Sequence, residues 1–198
     1  MKQAHLIDFS LNDAWLDPQR PLPIFRGRYP PGSAWGGLER ILPELVRLFC
    51  REDRGRALEF GVEWGYSTAA LAQLFSEVVG VDTFRGDPHS GFKEDHLKET
   101  RANLTAWSNI RLVQQNFRNF IQDQAFDSRY SLIHIDMMHD FETTYTAGRW
   151  AAAHAPVVLF HDTESIWPEV KQAVLEIAEE SGREVYNYPK CYGLGILF

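Results

Sequence analysis

The sequence is poor in cysteine and has no long apolar run. Its 198 residues include two cysteines, Cys50 and Cys191, which is too few for a disulfide framework and is not the spacing of a zinc site. No hydrophobic stretch approaches the roughly 20 residues of a membrane-spanning helix. The first residues show no secretory signal pattern. We therefore expect a cytoplasmic protein with no membrane partner.

An excess of positive charge is also missing. The formal net charge of −7 disfavours a phosphate-rich ligand, so we expect no nucleic-acid partner. Hydrophobic residues make up 44% and charged residues 24% of the chain, as in an ordinary globular protein. The length suits a single domain spanning residues 1–198. Formation of a homo-oligomer is left open.

The first forty residues differ in composition from the rest. Closely spaced prolines and glycines exclude long regular elements there, yet the aromatic residues, such as Trp15 and Trp35, are too numerous for a disordered tail. We predict an irregular N-terminal segment over residues 1–40, ahead of a core at 41–198. It could form a lid over the active site or a strap along one side of the sheet.

Short apolar segments alternate with helical patterns after residue 38. Strands are predicted at 57–60, 78–81, 110–113, 132–135 and 157–160, and helices at about 67–76, 93–107, 141–153 and 167–181. This alternation is typical of an α/β protein with a parallel sheet and helices on both faces. Segments 184–188 and 193–198 are separated by only four residues, which predicts an antiparallel hairpin.

A glycine-containing turn, residues 59–67, follows the first predicted strand. Gly61 and Gly65 permit a tight turn and a close approach of the backbone to a ligand. Ser67 or Thr68 could cap the next helix, whose free amides favour an anionic group. Asp82 ends the second strand, where it could accept hydrogen bonds from ribose hydroxyls.

The ligand of this turn is not predicted to be a dinucleotide. The G-x-G-x-x-G fingerprint and the phosphate-binding G-K-[ST] loop are both absent. Glu59, just before the turn, would repel a pyrophosphate but could favour a cationic sulfonium ligand with an α-amino group. A nicotinamide-dependent oxidoreductase is therefore disfavoured.

Several segments together resemble class I S-adenosylmethionine methyltransferases, and in particular the small bacterial "methyltransferase 24" family. The matching segments are 59–68 (EFGVEWGYST), 81–89 (VDTFRGDPH), 134–139 (HIDMMH), 160–163 (FHDT) and 192–197 (YGLGIL), so the resemblance covers about residues 56–198. It implies a Rossmann-like, seven-stranded, mostly parallel sheet of order 3-2-1-4-5-7-6 with an antiparallel last strand. It also implies S-adenosylmethionine as the cofactor.

The resemblance carries specific residues with it. It implies that Gly61 and Gly65 approach the methionine part of the donor, that Asp82 holds the ribose and that Asn116 contacts the adenine. Phe117 could pack against that ring or simply belong to the core. The predicted cofactor-binding residues are Glu59, Gly61, Val62, Gly65, Tyr66, Ser67, Asp82, Thr83, Asn116, Phe117 and Asp136.

The reaction centre is predicted where two neighbouring strands end. Asp136 and His139 follow the fourth strand, and His161 and Asp162 follow the fifth, so that their side chains should meet at one edge of the sheet. His134, inside the fourth strand, is predicted to be a hydrogen-bonded core residue.

Three roles for these residues remain open. Asp136, His161 and Asp162 could hold a divalent metal, magnesium or similar, that lowers the pKa of a substrate hydroxyl. Related O-methyltransferases carry an acidic residue where this chain has His161, which would suit a softer metal better. Alternatively His139 or His161 could act as a general base, with Asp136 as the third catalytic residue. In the third role, His161 and Asp162 cap helix or loop ends and take no part in the chemistry.

The expected function is O-methylation of a small-molecule acceptor, such as a sugar or natural product, by a S-adenosylmethionine-dependent methyltransferase. The alternative is a non-catalytic module that binds S-adenosylmethionine in a methyltransferase fold.

Overall fold

The computed structural model describes residue 4 and residues 6–8, 35–88, 90, 93–123 and 128–198. Most of the segment predicted as a lid or strap, residues 1–40, lies outside these ranges, so that prediction stays open. The elements are β1 (Ile7–Asp8), α1 (Leu38–Phe49), β2 (Arg56–Phe60), α2 (Tyr66–Ala72), β3 (Glu77–Asp82), α3 (Leu97–Asn103), β4 (Ile110–Gln114), α4 (Phe117–Phe120), β5 (Leu132–Ile135), α5 (Phe141–His154), β6 (Val158–His161), α6 (Pro168–Ser181), β7 (Val185–Tyr188) and β8 (Leu194–Leu197).

The strands form one mixed sheet in the order β1-β7-β8-β6-β5-β2-β3-β4. Strand β8 runs antiparallel to both neighbours, and the other neighbouring pairs are parallel. Without β1, this is the order 3-2-1-4-5-7-6 with an antiparallel last strand. The predicted Rossmann-like α/β fold is therefore confirmed.

The number of strands differs from the prediction of seven. Ile7 and Asp8 pair in parallel with Tyr186 and Asn187 of β7 and add an eighth strand at the edge of the sheet. A two-residue strand shows no alternation of apolar and polar residues, which is why the sequence pattern did not reveal it.

Helices cover both faces of the sheet because successive strand residues point to opposite sides. Ala57 in β2 belongs to a core cluster that includes Leu45 of α1 and Leu71 of α2. The next residue, Leu58, belongs to a second cluster that includes Ala151 of α5 and Ile177 of α6. Each face of the sheet thus has its own buried apolar layer.

Helix α1 illustrates how the sequence specifies these layers. Its buried residues include Leu38, Ile41, Leu42 and Leu45, whose spacing of three and four residues forms one apolar stripe. It begins after Gly37, which has a φ of 102°. Within the described ranges, no helix is long and apolar enough to cross a membrane.

Candidate active site

The turn after β2 is shaped by two glycines in left-handed backbone conformations. Gly61 has a φ of 88°, and a Cβ atom there would lie 1.7 Å from the carbonyl oxygen of Asp136. Gly65 has a φ of 89°, and its Cβ would lie within 2.9 Å of Leu104 side-chain atoms. Contacts within the protein therefore already require glycine at both positions. Gly65 is the N-cap of α2 and no side chain caps that helix, so the predicted cap by Ser67 or Thr68 is wrong.

Asp82, at the end of β3, holds this turn in place. Its Oδ2 atom accepts hydrogen bonds of 2.9 Å from the backbone N–H groups of Val62 and Glu63. Its Oδ1 atom accepts a 2.7 Å bond from the N–H of Phe84. A carboxylate oxygen can accept more than one hydrogen bond, so the predicted contact of Asp82 with ribose stays a prediction.

Glu59 is part of a buried polar network. Its carboxylate accepts a hydrogen bond from the Thr68 hydroxyl and lies 2.9 Å from Nδ1 of His134. Trp35 donates from Nε1 to Nε2 of His134 at 3.1 Å. The Trp35 bond makes Nε2 the acceptor, so Nδ1 carries the proton that points at Glu59. His134 is thus the hydrogen-bonded core residue that was predicted.

A cavity of about 1040 Å³ opens at the carboxyl ends of β2, β3, β5 and β6. The predicted cofactor-binding residues that line it are Gly61, Val62, Tyr66, Ser67, Asp82, Thr83, Asn116, Phe117 and Asp136. Glu59 and Gly65 do not line it, because Glu59 is turned into the network with His134 and the open side of Gly65 faces Leu104. The placement of these two residues therefore does not favour the direct contact with a ligand that was predicted for them.

The predicted reaction centre lies at one end of this cavity. Nε2 of His139 is 3.0 Å from Oδ2 of Asp162 and 3.6 Å from Oδ1 of Asp136. Nδ1 of His161 is 2.9 Å from Oδ2 of Asp162 and 3.5 Å from Oδ2 of Asp136. Two carboxylates and two imidazoles, drawn from the ends of two neighbouring strands, therefore meet at one point. Asp162 adopts a left-handed backbone with a φ of 68°, an uncommon conformation for a residue other than glycine.

Mutual attraction shifts the pKa values of this group. Although burial lowers the pKa of His139, hydrogen bonds to Asp136 and Asp162 raise it to about 9. Burial also lowers the pKa of His161, but the charge of Asp136 and hydrogen bonds to both carboxylates raise it to about 10. Burial raises the pKa of Asp162, and the two imidazoles lower it to about 2. Alone, the four groups form a compact set of charge pairs.

Three of these four residues could together hold a metal ion. Asp136, His161 and Asp162 each offer one ligand atom, and these atoms lie within 4.8 Å of one another. Nε2 of His161 lies 3.2 Å from the carbonyl oxygen of Cys191. A proton on Nε2 would donate to that oxygen and leave the Nδ1 lone pair directed at the two carboxylates, as in many metal-bound histidines.

The structure also brings to the cavity residues that sequence reasoning missed. Trp167 stacks on His139 with a ring separation of 5.7 Å and an interplanar angle of 16°. Its position, five residues after Asp162 at the carboxyl edge, is a signal that could have found it. Trp35 and Glu63 line the cavity as well. Nothing in the local sequence pattern connects Trp35 with residues a hundred positions later.

The fold and the position of the cavity define a class I methyltransferase domain. Residues 58–163 match the model of the methyltransferase 24 family, described as a methyltransferase domain. The match covers more than half of the chain, which therefore belongs to this family.

Three known proteins illustrate the relationship. An uncharacterized protein, y4gI, of Sinorhizobium fredii (strain NBRC 101917 / NGR234) is 32% identical over an alignment of 162 residues that covers 72% of this chain and 17% of that protein. The chain thus spans about a sixth of this curated relative's length. An O-methyltransferase from Bacillus cereus in complex with SAH matches with a TM-score of 0.60 at 18% identity, over 85% of this chain and 83% of that one.

The third is the TDP-rhamnose 3'-O-methyltransferase CalS11 of calicheamicin biosynthesis. Its apo structure matches with a TM-score of 0.59 at 18% identity, over 81% of this chain and 79% of that one. At these identities, both solved structures show likeness of fold.

Proposed function

We propose that this protein transfers a methyl group from S-adenosylmethionine to an oxygen atom of a small-molecule acceptor, such as a sugar or a natural product. The observation that carries the proposal is the convergence of Asp136, His139, His161 and Asp162 at the end of the cavity that the turn after β2 lines. The O-methyltransferases of similar fold, one in complex with SAH and one acting on TDP-rhamnose, support this class of reaction. We further propose that residues 1–198 act as one domain.

The donor would occupy the part of the cavity between β2 and β4. Its methionine part would lie along the turn from Gly61 to Ser67, and its ribose next to Asp82. Asn116 and Phe117 line the same cavity at the start of α4, where they could contact the adenine. This placement directs the sulfonium toward Asp136, at the end of the neighbouring strand β5.

Methyl transfer at a sulfonium is an in-line displacement, so the enzyme must mainly position and deprotonate the acceptor. Free imidazoles would suit the second task, but the pKa of His139 is about 9 and that of His161 about 10. The carboxylates of Asp136 and Asp162 thus favour the protonated form of both rings in the metal-free protein. This disfavours general-base catalysis without a metal.

The residues present fit a divalent cation between Asp136, His161 and Asp162. The cation, when bound, would hold the acceptor hydroxyl and lower its pKa. Nδ1 of His161 would give up its proton, while its Nε2–H would keep the contact with the Cys191 carbonyl. His139 would lose much of the negative charge that keeps it protonated and could then accept the acceptor's proton. A mixed set of one imidazole and two carboxylates suits manganese or zinc as well as magnesium.

Titration calorimetry with S-adenosylmethionine and its demethylated product, followed by transfer assays on hydroxylated sugars and phenols, tests the proposal. We expect binding of both ligands, transfer that depends on added Mg²⁺ or Mn²⁺, and loss of transfer in Asp136→Asn. The control Glu179→Gln, on the exposed side of α6, should retain transfer. Failure of either ligand to bind at millimolar concentration would overturn the proposal. Binding without transfer to any acceptor would favour the alternative of a non-catalytic S-adenosylmethionine-binding module.

A further inference from the structure

Glu63 is a charged residue held at the tip of the turn after β2. It is the third residue of that turn and has a left-handed backbone with a φ of 50°, a conformation that costs a non-glycine residue roughly 1–2 kcal/mol. Two hydrogen bonds hold it there: its N–H donates to Asp82 at 2.9 Å, and its carbonyl accepts from the Thr100 hydroxyl at 2.8 Å. The exposed side chain lines the cavity. The fold thus fixes the backbone of a residue whose carboxylate lines the cavity beside the proposed position of the donor.

Negative charge dominates the surroundings of Glu63. The carboxylates among the described residues that line the cavity are Glu63, Asp82, Asp87, Asp136, Asp140, Glu142 and Asp162. Against these seven, the cationic groups among the lining residues of known position are the guanidinium of Arg118, which pairs with Glu142 at 3.0 Å, and the imidazoles of His139 and His161, which pair with Asp162. Partial burial, together with the charges of Asp136 and Asp82, raises the pKa of Glu63. A cationic ligand would relieve this repulsion.

The proposed reaction changes the charge of its cationic ligand. S-adenosylmethionine carries a positive sulfonium. When the bond from sulfur to the methyl carbon breaks, its electron pair stays on sulfur, the methyl group joins the acceptor oxygen, and that oxygen gives up its proton to His139, the base proposed above. The product left in the cavity is a neutral thioether. A fixed carboxylate therefore attracts the donor more strongly than the product.

We propose that Glu63 determines the selectivity of the cavity for the sulfonium donor over its demethylated product, and so limits product inhibition. This inference rests on the function proposed above. A cation held by Asp136, His161 and Asp162 would act in the opposite direction and favour the neutral product, so the comparison of variants is made at one fixed metal content. Glu63 itself is not part of that group.

The test measures the dissociation constants of S-adenosylmethionine and S-adenosylhomocysteine by titration calorimetry in low salt at pH 7.5. We expect the natural protein to bind the donor more tightly. The quantity compared is the dissociation constant of S-adenosylhomocysteine divided by that of S-adenosylmethionine. Glu63→Gln should lower this ratio by about threefold to fivefold, which is within the range expected for an exposed charge pair. Glu63→Asp should retain most of the ratio, and added salt should reduce it in the natural protein.

Glu99→Gln is the matched control. Glu99 is an exposed residue on α3 that does not line the cavity, and its substitution changes the net charge equally. It should leave the ratio unchanged. A ratio in Glu63→Gln within measurement error of that in Glu99→Gln would overturn the role of Glu63 while leaving the proposed function intact. Absence of binding by both ligands in the natural protein would overturn the two together.

Discussion

Gly61 and Asp136 lie so close together that a Cβ atom at position 61 would stand 1.7 Å from the carbonyl oxygen of Asp136. Both residues are fixed by the sheet: the N–H of Gly61 donates to Val81 at 3.0 Å, and the N–H of Asp136 donates to Phe60 at 2.9 Å. The glycine that shapes the turn therefore also determines how near Asp136 lies to the proposed donor site. The turn and Asp136 are parts of one packed unit.

Gly61→Ala should destabilise the protein and abolish donor binding. The left-handed backbone and the overlap with a backbone oxygen together should cost roughly 2–4 kcal/mol of unfolding free energy, measured by urea denaturation. Gly182→Ala is the control, because Gly182 is also left-handed (φ 68°) but has nothing within 4 Å of its would-be Cβ. It should cost only about 1–2 kcal/mol. Equal losses in the two variants would show that the contact with Asp136 contributes nothing.

The predictable parts of the fold are those that depend on patterns of neighbouring residues in the sequence. The strands 132–135 and 158–161 are short, apolar and flanked by helices, which predicts a parallel sheet buried on both faces. Because parallel strands end at the same edge, the meeting of Asp136 with Asp162 could also be predicted. The four-residue separation before β8 predicts the terminal hairpin.

The parts that were missed depend on contacts between distant residues. Glu59 was expected to contact a ligand, but its carboxylate pairs with His134, which lies 75 residues later in the chain. Trp35, the other partner of His134, lies 99 residues before it. No pattern within a window of the sequence encodes such pairs. The strand β1 is formed by Ile7 and Asp8 alone, and its pairing with β7 is equally remote.

Trp35→Phe should destabilise the protein by about 1–3 kcal/mol, since it leaves the buried Nε2 of His134 without its donor. The ring contact with His134, now 5.2 Å between centroids, can persist in the variant. The effect is measured by urea denaturation and compared in a His134→Leu background. There the same change should cost clearly less, because the acceptor is gone. An equal cost in both backgrounds would assign the effect to packing and not to the hydrogen bond.

Removal of one ligand should abolish metal binding at the reaction centre. At a Mn²⁺ concentration 100 times the dissociation constant, binding stabilises the folded state by about 2.7 kcal/mol, or roughly 5–10 °C in Tm for a domain of this size. Asp162→Asn should lose this shift, whereas Asp87→Asn, which changes a carboxylate of the same cavity outside the group, should keep it. A Tm shift of similar size in both variants would place the metal elsewhere.

The stability of the metal-free protein should depend on pH through the four groups of the reaction centre. The pKa values of His139 and His161 are raised to about 9 and about 10, above the usual value of about 6.5. Their stabilising contribution is therefore complete below about pH 6.5 and is lost as the pH rises through about 9 to 10. The pKa of Asp162 is lowered to about 2, so its contribution is present above about pH 4 and is lost as the pH falls through about 2.

Urea denaturation in the presence of a chelator, from pH 6 to 10, checks the alkaline side of this dependence. The unfolding free energy should fall over that range in the natural protein, and the fall should be smaller in His139→Gln. His154→Gln, at the end of α5 and stacked on Trp150, is the control and should leave the fall unchanged. Saturation with Mn²⁺ should reduce the fall as well, because His161 bound through Nδ1 no longer carries the proton that is lost at high pH. A fall of the same size with and without metal would contradict His161 as a ligand.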